Sequence, residues 1–221
     1  MARTISESRS VRISNELRQS PWADYISLFR DIRFSALALQ AGTSTGSFFA
    51  LASGTAYIMT DFLGRPAAEF GLWFPLMPFG FWLGNFLSSR IGGRVAIETM
   101  VFGSTGVMLL ATSIFAGLML AGLVFPLTLF LPGFLLTFGQ GLNTPFVQTG
   151  LLKVSASLAG TAAGVGVFAQ MFGGGLFSQI YGWVSDGTPV PLAATVWSAT
   201  AVAFLASMIP FILYRRKRQI G

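Results

Sequence analysis

Residues 96–118 read AIETMVFGSTGVMLLATSIFAGL, and this stretch holds a single charged residue, Glu98, near its start. A helix needs roughly 20 apolar residues, each rising about 1.5 Å, to cross a hydrocarbon core about 30 Å thick. The stretch is therefore long and apolar enough for one membrane span. Further apolar runs predict spans near 34–58, 70–89, 122–147, 160–183 and 191–214. The sequence thus predicts an all-α membrane protein with six transmembrane helices and a tight helical hairpin around Ala121 and Gly122.

The composition excludes most soluble and catalytic classes. Hydrophobic residues make up 53% of the chain and charged residues only 10%, whereas a soluble domain carries about a quarter charged residues. The chain has no Cys and no His, which removes thiol nucleophiles, disulfides, the imidazole base and the usual zinc ligands. We therefore expect no enzyme activity, no catalytic residue, no metal and no cofactor. The net charge of +6 does not favour nucleic acid, because the basic residues lie between apolar runs.

Lys and Arg predict the orientation, because cytoplasmic loops retain positive charge during insertion. Of the 14 basic residues, Arg65 alone falls on the side of the membrane opposite the N-terminus. A multi-pass protein with both termini in the cytoplasm follows. The basic tail, residues 215–221, is expected to contact the anionic headgroups of the lipid bilayer.

The first 33 residues predict a cytoplasmic leader ahead of the bundle at 34–214. Within the leader, Ser20 can cap a short helix near 20–33 that begins at Pro21. Its apolar residues then fall on one side and favour a position on the inner membrane surface: Trp22, Tyr25, Ile26, Phe29 and Ile32. No structure is predicted for residues 1–19, which are rich in Ser and Arg.

Small residues and prolines inside the spans predict closely packed, kinked helices. Glycines spaced four residues apart occur at 42/46, 80/84 and 160/164, and a triple glycine occupies 173–175. Prolines that can kink a span occur at Pro75, Pro78, Pro126, Pro132, Pro145 and Pro210.

No Asp, Glu, Lys or Arg lies near the middle of any predicted span, so the chain shows no proton carrier of its own. Uncharged polar residues remain, together with nearby phenylalanines, and they predict a cavity for a small amphipathic or aromatic substrate. The candidate substrate-binding residues are Gln40, Ser44, Phe48, Gln140, Asn143, Phe168 and Gln170. The alternative is that the polar members of this set form hydrogen bonds between helices and the phenylalanines face lipid.

Several short motifs, in order along the chain, resemble the C-terminal six-helix half of Bcr/CflA-type drug transporters of the major facilitator superfamily. They are FGLWF at 70–74, GFWLG at 80–84, GLNTP at 141–145, AGTAAG at 159–164 and DGTPVPL at 186–192. The resemblance covers residues 30–214. The loop with Arg90, Gly92 and Arg94 also resembles the superfamily's cytoplasmic glycine-arginine loop, although Ser89 stands where that loop usually has Asp.

The resemblance implies one bundle, or half, of a twelve-span fold. It further implies a proton-coupled exporter of small amphipathic compounds, working by alternating access in a cell inner membrane. The proton-carrying carboxylate is then expected in the other half, so the chain would need a second six-helix bundle as partner. Two alternatives stay open: a truncated, non-transporting remnant or scaffold, and a half-transporter that pairs with a second copy of itself.

Overall fold

The structure is a computed structural model that describes residues 21–154 and 158–220. Within these ranges it is helical and contains no strand. The helices are α1 (Pro21–Arg30), α2 (Ile32–Tyr57), α3 (Ala67–Trp73), α4 (Leu76–Ile91), α5 (Ile97–Leu120), α6 (Pro126–Val154), α7 (Ala159–Val184) and α8 (Val190–Ile220). A π-helical turn, Ile58–Phe62, extends α2.

The short helix predicted near 20–33 is α1, and it ends earlier than expected, at Arg30. Asp31 separates α1 from α2, because it caps the start of α2. Its carboxylate accepts hydrogen bonds from the backbone N–H groups of Arg33 at 2.7 Å and Phe34 at 3.3 Å. The proposed capping residue, Ser20, lies outside the described residues. The apolar residues of this segment are exposed, as a helix on a membrane surface requires: Trp22, Tyr25, Ile26, Phe29 and Ile32.

The span predicted near 70–89 is interrupted at Phe74 and Pro75, between α3 and α4, where Pro75 was predicted to permit a kink. Neither Pro75 nor Pro78 has an N–H to donate to the preceding turn. The backbone tightens locally instead, and the N–H of Met77 bonds the carbonyl of Phe74 at 3.0 Å. This segment therefore consists of two helices in series.

The hairpin between α5 and α6 is as short as predicted and occupies residues 121–125. Gly122 adopts a φ of 72°, which a residue without Cβ reaches freely. The N–H groups of Gly122 and Leu123 bond the carbonyls of Met119 and Leu118 at 3.1 and 3.0 Å, closing the end of α5. Pro126 consequently begins α6 instead of lying inside it.

The predicted boundary before the basic tail is not a helix end. Helix α8 runs through Pro210 and on to Ile220, so the tail continues the last helix. The guanidinium of Arg215 lies over the ring of Phe211, 5.1 Å from its centre.

Backbone contacts at glycines hold the helices together in pairs. A Cβ on Gly42 would lie 2.8 Å from the carbonyl oxygen of Ala169, and one on Gly173 would overlap Gly42 itself. In the same way, a Cβ on Gly84 would overlap the carbonyl of Phe138. These contacts pack α7 on α2 and α4 on α6, while α5 and α8 pack on each other behind α6 and α2.

The close packing predicted at glycines 42/46 and 80/84 is thus confirmed, but the third pair was wrong. No atom of the described chain lies within 4 Å of a Cβ built on Gly160 or Gly164, which lie on the exposed side of α7. The triple glycine divides in the same way. Gly173 and Gly174 contact α2, whereas Gly175 faces open space.

Two of the described helices, Ile97–Leu120 and Val190–Arg216, are long and apolar enough to cross a membrane by composition. The others are less uniform, since α2 contains the polar run TSTGS at 43–47 and α4 has only 16 residues. The count of six spans therefore stays a prediction.

The two ends of the bundle differ in charge. At one end, Arg33 at the start of α2 forms an ion pair with Glu98 at the start of α5, and Lys153 lines the same crevice. At the other end, Arg65 and Glu69 form an ion pair at 3.5 Å.

Candidate functional site

A cavity of about 290 Å³ lies between α2, α4, α6 and α7, near the middle of α2, α6 and α7. Because α4 packs chiefly on α6 and α7 chiefly on α2, the cavity opens between these two helix pairs. Its wall consists of Thr45, Phe48, Phe49, Met77, Pro78, Phe81, Thr137, Gln140, Thr144 and Gln170.

Some polar side chains of the wall already form hydrogen bonds within the protein, and others do not. Thr137 and Thr144 donate their hydroxyls to carbonyls of their own helix, those of Gly133 and Gln140, at 3.1 and 2.8 Å. They therefore have no donor to offer to a ligand.

Gln140 connects two of the helices that form the cavity wall. It is 7% exposed, and its Nε2 donates to the hydroxyl of Thr45 at 3.2 Å, which joins α6 to α2. Its Oε1 is buried without a partner. An unpaired buried amide oxygen is costly, so this residue can gain a hydrogen bond from any donor that approaches it.

Gln170 is the polar group best placed for a ligand. It lines the cavity from α7, is half-buried, and its amide makes no hydrogen bond within the described residues. A free amide offers two N–H donors and one carbonyl acceptor.

Aromatic and sulfur-containing side chains make the rest of the wall apolar. Phe48 and Phe49 contact each other edge to face with ring centres 5.4 Å apart, and Met77 and Phe81 face them from α4. The wall contains no Asp, Glu, Lys or Arg. The cavity can therefore hold an apolar or aromatic body and bond one neutral polar group.

Of the seven predicted substrate-binding residues, the structure brings Phe48, Gln140 and Gln170 together in this cavity. Contact of these three residues with a substrate stays a prediction.

Three others, Gln40, Ser44 and Asn143, are buried between helices outside the cavity wall. Gln40 donates its Nε2 to the hydroxyl of Thr105 at 3.2 Å, and Asn143 accepts from Ser104 at 3.3 Å. The hydroxyl of Ser44 bonds a carbonyl of its own helix. The contacts of Gln40 and Asn143 match the alternative of interhelical hydrogen bonding, whereas the Ser44 bond stays within α2. A role in binding substrate stays a prediction for all three.

Phe168 lies on the outer side of α7, where it is 66% exposed and stacks on Phe172 with ring centres 5.6 Å apart. It faces away from the rest of the described chain and does not line the cavity.

The sequence analysis did not single out most of the wall. On α6, residues 137, 140 and 144 recur at helical spacing, as do residues 45, 48 and 49 on α2, so each set shares one face. Extending from Gln140 and Phe48 by three and four residues would have found Thr144, Thr137 and Thr45, and Phe49 lies four residues after Thr45.

The predicted loop motif of Arg90, Gly92 and Arg94 forms the end of α4 and the turn after it. Arg90 lies in the last turn with its guanidinium 4.9 Å from the centre of the Phe86 ring, and the N–H of Gly92 closes the helix on Ser88 at 2.9 Å. The N–H of Arg94 bonds the carbonyl of Ile91 at 3.0 Å. Within residues 21–154 and 158–220 there is no group of three or more His, Cys, Asp or Glu suited to a metal ion.

No family model matches the chain. It is 24% identical over 181 residues to an uncharacterized MFS-type transporter, YdgK, of Bacillus subtilis strain 168. The match covers 81% of this chain and 44% of that protein, so the chain spans less than half the length of this relative. The similarity supports membership of the major facilitator superfamily. Together with the two apolar helices, it indicates a membrane protein.

Proposed function

We propose that residues 34–214 form a six-helix transmembrane bundle that acts as one half of a major facilitator transporter for small amphipathic compounds. The observation that carries the proposal is the uncharged cavity between α2, α4, α6 and α7, near the middle of three long helices. Substrate sites of secondary transporters lie near the bilayer midplane, between two repeats. The relative's description as an MFS-type transporter supports the same function.

In the proposed topology α2, the α3–α4 segment, α5, α6, α7 and α8 are the six spans. Antiparallel neighbours joined by short turns bring Arg33, Glu98 and Lys153 to one end of the bundle. In a cell inner membrane, that end of the bundle would face the cytoplasm, because most basic residues of the sequence belong to that end. Both termini then lie in the cytoplasm.

The substrate class follows from the cavity wall. Four apolar side chains, Phe48, Phe49, Met77 and Phe81, suit an aromatic or aliphatic body, and the amide of Gln170 suits a neutral donor or acceptor. No carboxylate in the wall would balance a cationic substrate or carry a proton. Proton coupling, and with it efflux of the Bcr/CflA type, therefore requires a carboxylate from a second bundle.

The second bundle would cover the side of the molecule on which the cavity opens. A second exposed surface of α7, on the outer side of the helix, includes the rings of Phe168 and Phe172 and the open positions at Gly160 and Gly164. Glycines four residues apart let a second helix approach closely. Contact with lipid does not require such small residues. The partner bundle can belong to the same polypeptide or to another one.

The experiment is reconstitution into liposomes of the purified chain, alone and with the six-helix bundle that co-purifies with it from the membrane. Efflux of an amphipathic fluorescent dye under a proton gradient is measured. We expect transport only with the second bundle. Transport by the chain alone would contradict the half-transporter proposal, and a lack of transport in both preparations would favour the non-transporting scaffold.

A matched pair of variants ties transport to the cavity. Thr144→Phe places a ring inside the cavity, whereas Leu131→Phe places one on an exposed position of the same helix. Loss of transport in the first variant alone, at equal protein levels, is the expected result. Equal transport in both variants would remove the cavity from the mechanism.

A further inference from the structure

A second, larger opening lies at the basic end of the bundle. This crevice, of about 670 Å³, is bounded by the end of α4, the first turn of α5 and the last turns of α6. Its wall includes Ser88, Glu98 and Lys153. It is separate from the cavity that the proposed transport function uses, since the two share no wall residue.

The start of α5 supplies backbone donors to this crevice. Helix α5 begins at Ile97, and the preceding residue, Ala96, has no side chain that can accept a hydrogen bond from the first turn. The N–H groups of a first turn have no partner inside the helix, and together with the helix dipole they attract anions. Ile97 and Glu98 of this turn both line the crevice.

Ser88 provides an independent polar group at the same place. It is 2% exposed and lines the crevice from the last turns of α4, and its hydroxyl has no hydrogen-bond partner within the described chain. Its O–H donor is therefore free for an acceptor bound in the crevice.

The charges around the crevice leave one cation in excess. The single carboxylate of the wall, Glu98, is already paired with Arg33. A small adjoining crevice of about 70 Å³ has Arg33, Glu98 and Lys153 in its wall, and the Nε of Arg33 is buried there without a partner. Two cations therefore surround one carboxylate, and the Lys153 ammonium remains to balance a further anion.

We propose that this crevice binds a phosphate group, from either the headgroup of an anionic lipid or a soluble phosphate ester. The donors are of the kinds that hold phosphate oxygens: backbone N–H groups at a helix start, the Ser88 hydroxyl and the Lys153 ammonium. Its position at the end of the bundle, beside the loop with Arg90 and Arg94, is the level at which lipid headgroups lie if the six helices span the membrane. A soluble ester reaches the same donors from water.

Binding is measured on the full chain in a neutral detergent. Native mass spectrometry compares retention of phosphatidylglycerol with that of phosphatidylcholine, and calorimetry titrates glycerol 3-phosphate. We expect Lys153→Gln to weaken binding of the phosphate-bearing probe about fivefold, the effect of one basic residue near an anionic surface. Ser88→Ala is expected to weaken it in the same direction. Glu98→Gln is expected to strengthen it, because the change removes the opposing carboxylate and releases Arg33.

Arg65→Gln is the matched control, because Arg65 is an exposed basic residue at the opposite end of the bundle, outside the crevice. A preference for phosphatidylglycerol that Lys153→Gln abolishes and Arg65→Gln preserves identifies the lipid. Binding of glycerol 3-phosphate with the same variant pattern and no lipid preference identifies a soluble ester. Equal effects of Lys153→Gln and Arg65→Gln, or weaker binding by Glu98→Gln, would overturn the proposal. None of these outcomes depends on transport.

Discussion

Gly173 of α7 lies against Gly42 of α2 so closely that a Cβ on Gly173 would overlap the backbone of Gly42. A rigid backbone cannot yield as a flexible side chain does, so this contact sets the distance between the two helices. The contact also sets the spacing of the cavity walls, since α2 carries Phe48 and α7 carries Gln170.

Gly173→Ala is therefore expected to lower the stability of the bundle by about 1 to 3 kcal/mol, the usual cost of overpacking a filled interface. Thermal unfolding of the detergent-purified protein measures it. Gly175→Ala is the matched control, because no described atom lies within 4 Å of the added methyl. The control should unfold at the same or a higher temperature, since Ala favours helix by about 1 kcal/mol over Gly. Equal behaviour of both variants would show that α2 and α7 do not meet at Gly173.

Replacing either glutamine of the cavity by leucine is expected to change the substrate range more than the amount of protein in the membrane. Gln170→Leu removes the free amide, and Gln140→Leu removes the bond to Thr45 together with an unpaired oxygen. Gln40→Leu is the control, because Gln40 is fully buried against Thr105 outside the cavity. Dye-efflux profiles normalised to membrane abundance make the comparison. A parallel loss of protein and transport would instead identify Gln140 and Gln170 as packing residues.

The absence of cysteine from the sequence makes the topology directly measurable. Single cysteines at Ala121 and Thr188, both exposed in connections between helices, should react with a membrane-impermeant maleimide on intact cells. One at Ser89, exposed at the end of α4, should react only after the membrane is permeabilised. Labelling of all three sites from the same side would contradict the six-span arrangement.

Asp186 makes the connection between α7 and α8 sensitive to acid. The hydroxyl of Thr188 and then its backbone N–H donate to this carboxylate, at 2.7 and 2.9 Å, and these bonds hold the pKa of Asp186 below its usual value. A lowered folded-state pKa means that the bonds contribute fully above the unfolded-state pKa, about 3.9, and are lost as the pH falls through the folded value.

Thr188→Ala should therefore raise the pKa of Asp186, because it removes the side-chain donor and leaves the backbone donor. Carboxyl-carbon NMR titration of the two proteins measures the difference. An unchanged pKa would show that the hydroxyl does not bond the carboxylate in solution.

The helical segments outside the second span were predictable as local runs of apolar residues, although α6 and α8 continue past their predicted ends at 147 and 214, to Val154 and Ile220. The interruption at Pro75 falls where a proline kink was predicted, because a proline has no N–H to donate to the preceding turn. The cap at Asp31 was missed because a single side chain, not composition, decides where α1 ends and α2 begins.

The candidate site was predictable only in part. The sequence selected polar residues in the middle of apolar runs, and that rule does not separate Gln170, which lines the cavity, from Gln40, which bonds Thr105. The rotation of each helix about its axis makes the difference, and packing against neighbours sets that rotation.

By itself, then, the sequence determined the helical class, the apolar runs and the asymmetry of charge, because hydropathy and charge act locally along the chain. Only the tertiary structure decided which faces meet. It brought Gly173 onto Gly42, left Gly160 and Gly164 open, and joined Phe48, Gln140 and Gln170 in one cavity. These outcomes depend on contacts between residues far apart in sequence, and no local pattern encodes the distance between two helices.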